Sequence, residues 1–295
     1  MRITNRMMAE NAIRHMNENT SRIGELQEQI ASGKRYETFS DNPSLAAAGM
    51  SLRTSLRAGE AYLETAAVVN EWISVTENSL GQMVDIAGEA TNLALGGLSD
   101  TEGASERHVR GVELDTLIKQ AIDIGNTSLR GQYIFSGFST NTQPFSLVNG
   151  SPDSISYAGD TGTMQRAVGP GQLIAVNFDS DATFSPFFSA LVEVRDALLA
   201  NDTAVLQSGL NSLDAAFDGI NDERTANGAR LRQVENATER LSRTQTEIQA
   251  LLSAKEDVNM AEAITVLRTQ ESSYQAVLEV GRRAIAMSNL FESLR

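Results

Sequence analysis

The sequence of 295 residues contains no cysteine and only two histidines, His15 and His108. Disulfides, thiolate chemistry and cysteine-ligated metals are therefore excluded, and a metal motif with two neighbouring histidines cannot be built. No nucleophile elbow accompanies the serines, so a hydrolase triad is unsupported as well. The sequence thus predicts no catalytic residue, no metal site and no cofactor, and a protein that is not an enzyme.

Long apolar runs and a cleavable leader are also missing from the sequence. No stretch approaches the roughly 18 consecutive apolar residues that a membrane-spanning helix needs. Residues 1–13 alternate polar and apolar side chains, which differs from the basic and then apolar pattern of a signal peptide. We therefore expect no membrane insertion, and we expect any secretion to proceed without Sec-type cleavage.

The charge of the chain is acidic and unevenly distributed. Asp and Glu number 38 against 24 Lys and Arg, which gives a net charge of −14. Such a chain is unsuited to phosphate backbones, so the sequence predicts no nucleic-acid partner. Residues 60–124 hold twelve acidic residues and three basic ones, whereas residues 1–40 hold five and six. Nearly neutral ends favour packing against other chains, and an acidic middle favours solvent.

Prolines and aromatic residues are few, and most of them fall in one part of the chain. Four of the five prolines lie within residues 144–186, and seven of the ten phenylalanines lie within residues 135–188. Residues 154–157, 165–168 and 173–178 read as short strands separated by turn residues. The pattern predicts a small β-rich insertion over residues 141–185 in a chain that is otherwise helical.

Helical spacing is clear on both sides of this insertion. Apolar and small residues repeat at alternating steps of three and four, which is the spacing of a left-handed coiled-coil seam. Asn42 and Pro43 suit the start of the first long helix, and Gly96 and Gly97 suit its end. A second helix is expected from Ser99 or Asp100 to about residue 129. The seam before the insertion is Val69, Ile73, Thr76, Leu80, Met83, Ala87 and Ala90, and the seam after it is Leu231, Val234, Thr238, Leu241, Gln245, Ile248 and Leu252.

The two ends of the chain carry matching apolar stripes. They are interrupted at similar depths, near residues 33–43 and near residues 255–259. We expect terminal helical arms at 1–40 and 256–295, a helical bundle at 41–140 and 186–255, and the β insertion at 141–185. The fold class is mainly α: a long antiparallel helical bundle or coiled coil with a small β-rich domain at its tip. The expected packing residues of the arms are Ile13, Met16, Ile23, Ile30, Met260, Ile264, Leu267, Tyr274, Leu278 and Ile285.

These arms are expected to need partners. An isolated helix is marginally stable in water and gains most of its stability by packing one face. Pairing the two arms within one chain buries a single stripe of each, while ordering each residue costs about 1–2 kcal/mol of backbone entropy. We therefore expect the arms to be loosely ordered in the monomer and to fold on assembly.

Three groups of residues resemble the flagellar hook-associated protein 3 family, within the bacterial flagellin superfamily. Residues 29–35 read Gln-Ile-Ala-Ser-Gly-Lys-Arg and are followed by Ser-Asp-Asn-Pro at 40–43. Residues 131–137 read Gly-Gln-Tyr-Ile-Phe-Ser-Gly, and residues 257–265 and 274–278 are similar to the family's C-terminal arm. The motif residues are Ser32, Gly33, Asp41, Asn42, Pro43, Tyr133, Phe135, Ser136 and Gly137.

The resemblance implies a structural subunit at the junction of hook and filament. Copies of the chain would form a ring-like layer, with the arms packed axially as nested helical tubes. Its implied partners are further copies of itself, the first hook-filament junction protein, flagellin and a cytoplasmic export chaperone. The implied location is the secreted part of the flagellum, reached by type III export.

Other classes of protein share some of these features. A flagellin filament subunit has the same architecture, although flagellins usually read Asp-Asp-Ala-Ala-Gly where this chain reads Asp-Asn-Pro-Ser at 41–44. A secreted coiled-coil effector or adhesin, binding through the β insertion, is a second alternative. An enzyme is the third, and no constellation of residues supports it.

Overall fold

The computed structural model describes residues 5–36, 40, 42–148, 150 and 153–293. Over this part of the chain it contains six helices and six short strands. The mainly α fold with a small β-rich region is confirmed. The elements are α1 (Asn5–Ser32), α2 (Pro43–Gly97), α3 (Ala104–Gly125), β1 (Ser128–Leu129), β2 (Gln132–Tyr133), β3 (Phe145–Val148), β4 (Ser154–Tyr157), β5 (Gln165–Gly169), β6 (Gln172–Ala175), α4 (Ser180–Ala200), α5 (Thr203–Glu256) and α6 (Met260–Ser293).

The chain forms two compact units. The arm unit comprises Met1–Ala58 and Thr244–Arg295, and the central unit comprises Gly59–Arg243. Helices α2 and α5 each contribute residues to both units. The finer division into arms, bundle and insertion at the boundaries given above stays a prediction.

The core of the central unit contains the seam predicted for α2. All seven seam positions are buried, and Thr76, the most accessible of them, is 2% exposed. Its hydroxyl donates to the backbone oxygen of Trp72, one turn earlier, which satisfies the only polar side chain in the seam. The six apolar residues of the seam join one buried cluster with apolar side chains of α3, α4 and α5. The alternating spacing of three and four therefore predicted the buried face of α2 correctly.

Helix α5 runs without a break through Gly228, a residue type that weakens a helix locally. A β-carbon at Gly228 would meet no atom within 4 Å in the part of the chain that the structure describes, so packing there does not require the glycine. The glycine lowers helix stability by about 1 kcal/mol relative to alanine, and the packing of the rest of the helix offsets this loss. Val234 and Leu241 of the predicted seam are buried, and its other members are half-buried, which confirms this face as the contacting one.

The bounds predicted for the second helix were wrong at both ends. Helix α3 begins at Ala104 because the preceding residues form a turn, in which the Glu102 amide donates to the Ser99 oxygen over 3.1 Å. It ends at Gly125 because the Asn126 side chain exchanges two hydrogen bonds with the backbone of Phe145. The chain then reverses between β1 and β2 through Arg130 and Gly131, both with positive φ, as a tight hairpin requires.

Three antiparallel hairpins make up the β-rich region: β1 with β2, β3 with β4, and β5 with β6. Residues 154–157 and 165–168 form strands as predicted, whereas the strand predicted over 173–178 ends at Ala175. It ends there because the Asn177 side chain bonds to the backbone of Gly162 and Met164 instead of continuing the ladder. The strands β1, β2 and β3 were not predicted. None of the described helices is long and apolar enough to cross a membrane.

Candidate assembly site

Helices α1 and α6 pack against each other in the arm unit along a seam with heptad spacing. At the middle of the seam, Gln270 Nε2 donates a hydrogen bond of 2.6 Å to Asn19 Oδ1. Among the α1 residues whose side chains the structure describes, no seam residue is fully buried, so a single partner helix covers this part of α1 only partly. The half-buried or buried positions include Met16, Asn19, Ile23, Leu26 and Ile30 on α1, and Ala263, Leu267, Gln270, Tyr274, Val277 and Gly281 on α6.

The predicted packing residues of the arms fall into two groups. Met16, Ile23, Ile30, Leu267 and Tyr274 lie in this seam. The remaining described ones are exposed, with Ile13 at 59%, Met260 at 42%, Leu278 at 41% and Ile264 at 38% of their full accessibility. Ile285 lies in α6, but its side chain is outside the described part of the chain.

The exposed apolar residues of α6 lie on both sides of its seam. At 3.6 residues per turn, Met260, Ile264 and Leu278 lie along one side, and Val266 and Val280 lie along the other. Val280 is 66% exposed and Val266 is 44% exposed. An apolar band this wide exceeds the stripe that packing on one helix requires. The band therefore offers contact surface to more helices than α1 alone.

The motif residues after the first arm form the link between α1 and α2. Gly33 ends α1 with a φ of +69°, a conformation that favours glycine. The Ser32 hydroxyl accepts from the Lys34 amide over 3.3 Å. Asn42 caps α2, because its Oδ1 accepts from the Leu45 amide over 3.1 Å, and Pro43 is the first helical residue. Asp41 lies outside the described residues.

One buried carboxylate contacts residues of this link. Glu256, at the end of α5, is 2% exposed. Its Oε2 lies 2.6 Å from Arg53 Nη2 of α2 and 3.6 Å from Lys34 Nζ. The Tyr36 hydroxyl lies 3.4 Å from its Oε1. Lys34 Nζ also lies 2.6 Å from Asp257 Oδ1. We call these five residues the Glu256 cluster.

The backbone closes the same contact. The Arg35 amide donates to the backbone oxygen of Glu256 over 2.7 Å, and the Val258 amide donates to the backbone oxygen of Gly33 over 2.9 Å. Lys34 and Asp257 thus form an isolated antiparallel bridge. The ion pair with Asp257, chiefly its hydrogen bond, raises the pKa of Lys34, and Lys34 and then Ser253 lower the pKa of Asp257. The ends of α1 and α5 are therefore joined by main chain as well as by charge.

The motif at 131–137 is structural in a different way, because it positions the β-rich region. Phe135 is buried, and its ring packs edge-on against those of Phe178 and Phe184, with centroids 5.8 and 4.9 Å away. Ser136 is fully buried, and its hydroxyl donates to the Tyr133 oxygen over 3.1 Å. Tyr133 itself pairs in β2 and is half-buried.

The turn after this motif is fixed by Asp160. Its carboxylate accepts from the amides of Phe138 and Gly162 over 2.9 and 2.7 Å, and from the Ser139 hydroxyl over 2.9 Å. The backbone donors, Phe138 first, lower the pKa of Asp160. Tyr157 lies beside it, with its hydroxyl 3.1 Å from the Phe135 oxygen, and burial raises the pKa of Tyr157 to about 12.

A charged cluster that sequence reasoning missed joins the β region to the helices of the central unit. Arg195 of α4 is 4% exposed. Its guanidinium lies 2.7 Å from Asp196, 3.1 Å from Asp153 and 3.3 Å from Asp115. Residues 115, 153 and 195 are far apart in the sequence, so no local pattern could reveal the cluster. The described residues contain no group of acidic and histidine side chains that could hold a metal ion.

The Glu256 cluster was also missed, although a signal was present. Lys34 lies beside the first helix break, and Glu256 and Asp257 lie beside the second one. Opposite charges at two breaks of matching depth predict a contact if the two arms run side by side. The two breaks were predicted from the sequence, whereas the pairing of their charges was not.

The comparisons with known proteins agree with the motifs. Residues 3–140 match the family model of the bacterial flagellin N-terminal helical region. Flagellar hook-associated protein 3 of Escherichia coli (strain K12) is 24% identical over 233 residues, which cover 78% of this chain and 72% of the relative.

Solved structures show the same fold. FlgL of Bacillus cereus is 24% identical, with a TM-score of 0.62 over 69% of this chain and 99% of that one. The flagellar junction protein FlgL of Legionella pneumophila is 16% identical, with a TM-score of 0.59 over 72% of this chain and 100% of that one. The motifs, the fold and the matched relatives together confirm the resemblance of this chain to flagellar hook-associated protein 3, within the bacterial flagellin superfamily.

Proposed function

We propose that this chain is a structural subunit of the bacterial flagellum that joins the hook to the filament. Copies form a ring-like layer between the first junction protein and flagellin, and the arms pack axially against copies and neighbours. The name of the Escherichia coli relative and the match to the flagellin N-terminal region support a structural role in the flagellum rather than an enzymatic one. The printed description of the Legionella protein as a flagellar junction protein supports the finer placement.

The observation that carries the proposal is the apolar band on both sides of the α6 seam. Val280 is 66% exposed and Leu278 is 41% exposed on opposite sides of a helix whose seam already contacts α1. Each large apolar side chain gains about 1.5–3 kcal/mol when it is fully buried. A subunit that packs its arms among several neighbouring helices uses both sides of the band.

The remaining partners follow from the same role. A subunit of the external flagellum is secreted, and the proposed route is type III export with a cytoplasmic chaperone that binds the chain before export. Nucleic acid and membrane lipid are not among the proposed partners, because the net charge of −14 repels both phosphate backbones and anionic lipid.

Deletion of the gene tests this function directly. We expect cells with bare hooks and flagellin released into the medium, and we expect motility to return when the gene is supplied on a plasmid. Loss of the filament with no exported flagellin would instead identify this chain as the flagellin. Normal filaments and normal swimming in the deletion strain would contradict both readings and favour a secreted effector or adhesin.

A second measurement separates the junction protein from a filament subunit. In sheared flagella of the wild type, the chain should be scarce relative to flagellin, because a ring-like layer contains few copies. An abundance equal to that of the major filament protein would contradict the junction role.

A further inference from the structure

We infer that Glu256 is a latch that fixes the direction in which the arm helices α1 and α6 leave α2 and α5 in the arm unit. The latch acts in the isolated chain and does not depend on the flagellar role. Three segments meet at the Glu256 carboxylate, namely the end of α5, α2 and the link after α1.

The carboxylate is buried while its cations are not. The Glu256 side chain is 3% exposed, whereas the side chains of Arg53 and Lys34 are 53% and 44% exposed. A buried carboxylate without its cations is strongly unfavourable, because the charge is then neither hydrated nor paired. Arg53 belongs to α2 and Lys34 follows α1, so keeping both on Glu256 holds both segments against the end of α5.

The approach of α2 to the carboxylate depends on a glycine. A β-carbon at Gly49 would lie 2.5 Å from Glu256 Oε1 and 2.9 Å from the Tyr36 hydroxyl. Gly49 lies inside α2, where alanine is the better helix former. Helix formation therefore does not call for glycine here, whereas space for the carboxylate does.

Two backbone amides report directly on whether the latch is closed. The Arg35 amide donates to the backbone oxygen of Glu256, and the Val258 amide donates to the backbone oxygen of Gly33. These two hydrogen bonds lie on either side of the Lys34–Asp257 bridge. These two amides belong to different arms and can exchange with solvent only when the bridge separates. Their exchange rates therefore report how often the latch opens.

Two substitutions should open the latch by different means. Glu256→Gln keeps the shape of the side chain and removes the charge that attracts Arg53 and Lys34. Gly49→Ala leaves every charge in place and displaces the carboxylate sterically, while it raises the helix propensity of α2. If Glu256 and Gly49 acted only on local helix stability, the two substitutions would change the amide exchange rates in opposite directions. If they act through a latch, both substitutions raise these rates.

Each variant has a matched control in the same unit. Glu279→Gln removes ion pairs of Glu279 with Arg282 and Arg283 that stay within α6. Gly24→Ala changes a helical glycine of α1 whose β-carbon would meet no atom of the described residues within 4 Å. Neither control touches the Glu256 cluster.

Hydrogen exchange of the full-length monomer tests the latch. In Glu256→Gln and in Gly49→Ala we expect the Arg35 and Val258 amides to exchange at least about tenfold faster than in the wild type, since breaking a buried ion pair shifts the opening equilibrium by that much or more. The controls should leave both rates unchanged. Unchanged rates in Glu256→Gln, or equal acceleration in Glu279→Gln, would overturn the latch.

Distance measurements test the direction of the arms. Because the sequence has no cysteine, thiol spin labels attach only at introduced sites. Exposed Ser21, Ser55 and Ser272 lie on α1, α2 and α6. The distance distribution between labels at 21 and 55 should broaden in Glu256→Gln, while that between 21 and 272 keeps its width. Broadening of neither distribution, or of both equally, would contradict a latch that sets arm direction.

Discussion

Gly137 has a φ of +65°, and a β-carbon at this position would overlap the backbone oxygen of Asp160. The same aspartate fixes the turn through its carboxylate, which accepts from the Phe138 amide one residue later. The last residue of the motif at 131–137 is therefore a glycine for two reasons, its left-handed backbone and its contact with the backbone of Asp160.

Gly137→Ala should destabilise the protein by about 2 kcal/mol or more, because strain at a positive φ costs about 1–3 kcal/mol and the Asp160 backbone must also move. Thermal or urea unfolding of the central unit measures the loss. Gly81→Ala is the matched control, since a β-carbon there meets no atom within 4 Å and alanine favours the interior of α2. Equal stability of Gly137→Ala and the wild type would refute this account of the turn.

Acid should weaken the protein partly through Asp160. The pKa of this carboxyl is lowered in the folded state, chiefly by the Phe138 amide. Its contribution to stability is therefore present above the unfolded pKa of about 3.9 and is lost as the pH falls through the folded pKa. In Asp160→Asn, the difference in unfolding midpoint between pH 7 and pH 3 should be smaller than in the wild type. Asp100→Asn, at an exposed position, is the control, and an unchanged difference in Asp160→Asn would contradict the prediction.

Arg195→Met should destabilise the central unit by about 3 kcal/mol, the lower end of the cost of breaking a buried ion pair. The lower end applies because Asp115, Asp153 and Asp196 are each about one-third exposed and regain some hydration. Equilibrium unfolding in urea gives the difference. Arg243→Met is the control, because Arg243 is exposed and pairs with Glu239, one turn earlier on the same helix. A loss no larger than that of the control would show that the Arg195 cluster contributes little.

The apolar band on α6 should be needed for assembly and dispensable for folding of the monomer. Leu278→Glu and Val280→Glu place charge on opposite sides of the seam, at positions that are 41% and 66% exposed. We expect monomer stability to change by about 0.5 kcal/mol or less. We expect swimming and recovery of the chain in sheared flagella to be lost when the variants replace the wild type.

Ser272→Glu is the matched control for the band, since Ser272 is exposed on the face of α6 opposite the seam. It should assemble and support swimming. Normal swimming with glutamate at both 278 and 280 would show that the band does not contact other subunits.

The arms are expected to be loosely ordered in the monomer. Met16, Ile23 and Ile30 are only half-buried against α6, so a single seam must offset the entropy of ordering a 28-residue helix. Amides of α1 should therefore exchange much faster than those of α2 between residues 69 and 90, whose seam is fully buried. Strong protection of α1 in the free monomer would show that folding of the arms precedes assembly.

Local patterns in the sequence determined the long helices and much of their buried faces. Val69, Ile73 and Leu80 could be assigned to the core because a helix repeats its face every three or four residues whatever lies opposite. The link between α1 and α2 was equally readable, since Gly33, Asn42 and Pro43 act through their own backbone preferences.

Tertiary structure decided where helices met other segments. The sequence could not show that α3 ends at Gly125, because the Asn126 side chain stops it by binding Phe145, nineteen residues away. For the same reason the heptad pattern of α6 predicted a wide apolar band and not the narrower seam. The partner helix determines which side of that band is covered. Met260 and Leu278 fit the spacing as well as Leu267 and Tyr274 do, yet Leu267 and Tyr274 are half-buried while Met260 and Leu278 are 42% and 41% exposed.

The charged residues show most clearly the difference between what the sequence determines and what only the fold determines. The sequence by itself determined that the chain is acidic, cysteine-free and helical, because these properties are sums over residues or local repeats. Only the fold decided that Glu256 would be buried beside Arg53, 203 residues away, while the Glu279 side chain is 45% exposed. Burial depends on which distant segments converge on a side chain, and in this chain that convergence follows from the pairing of its two ends.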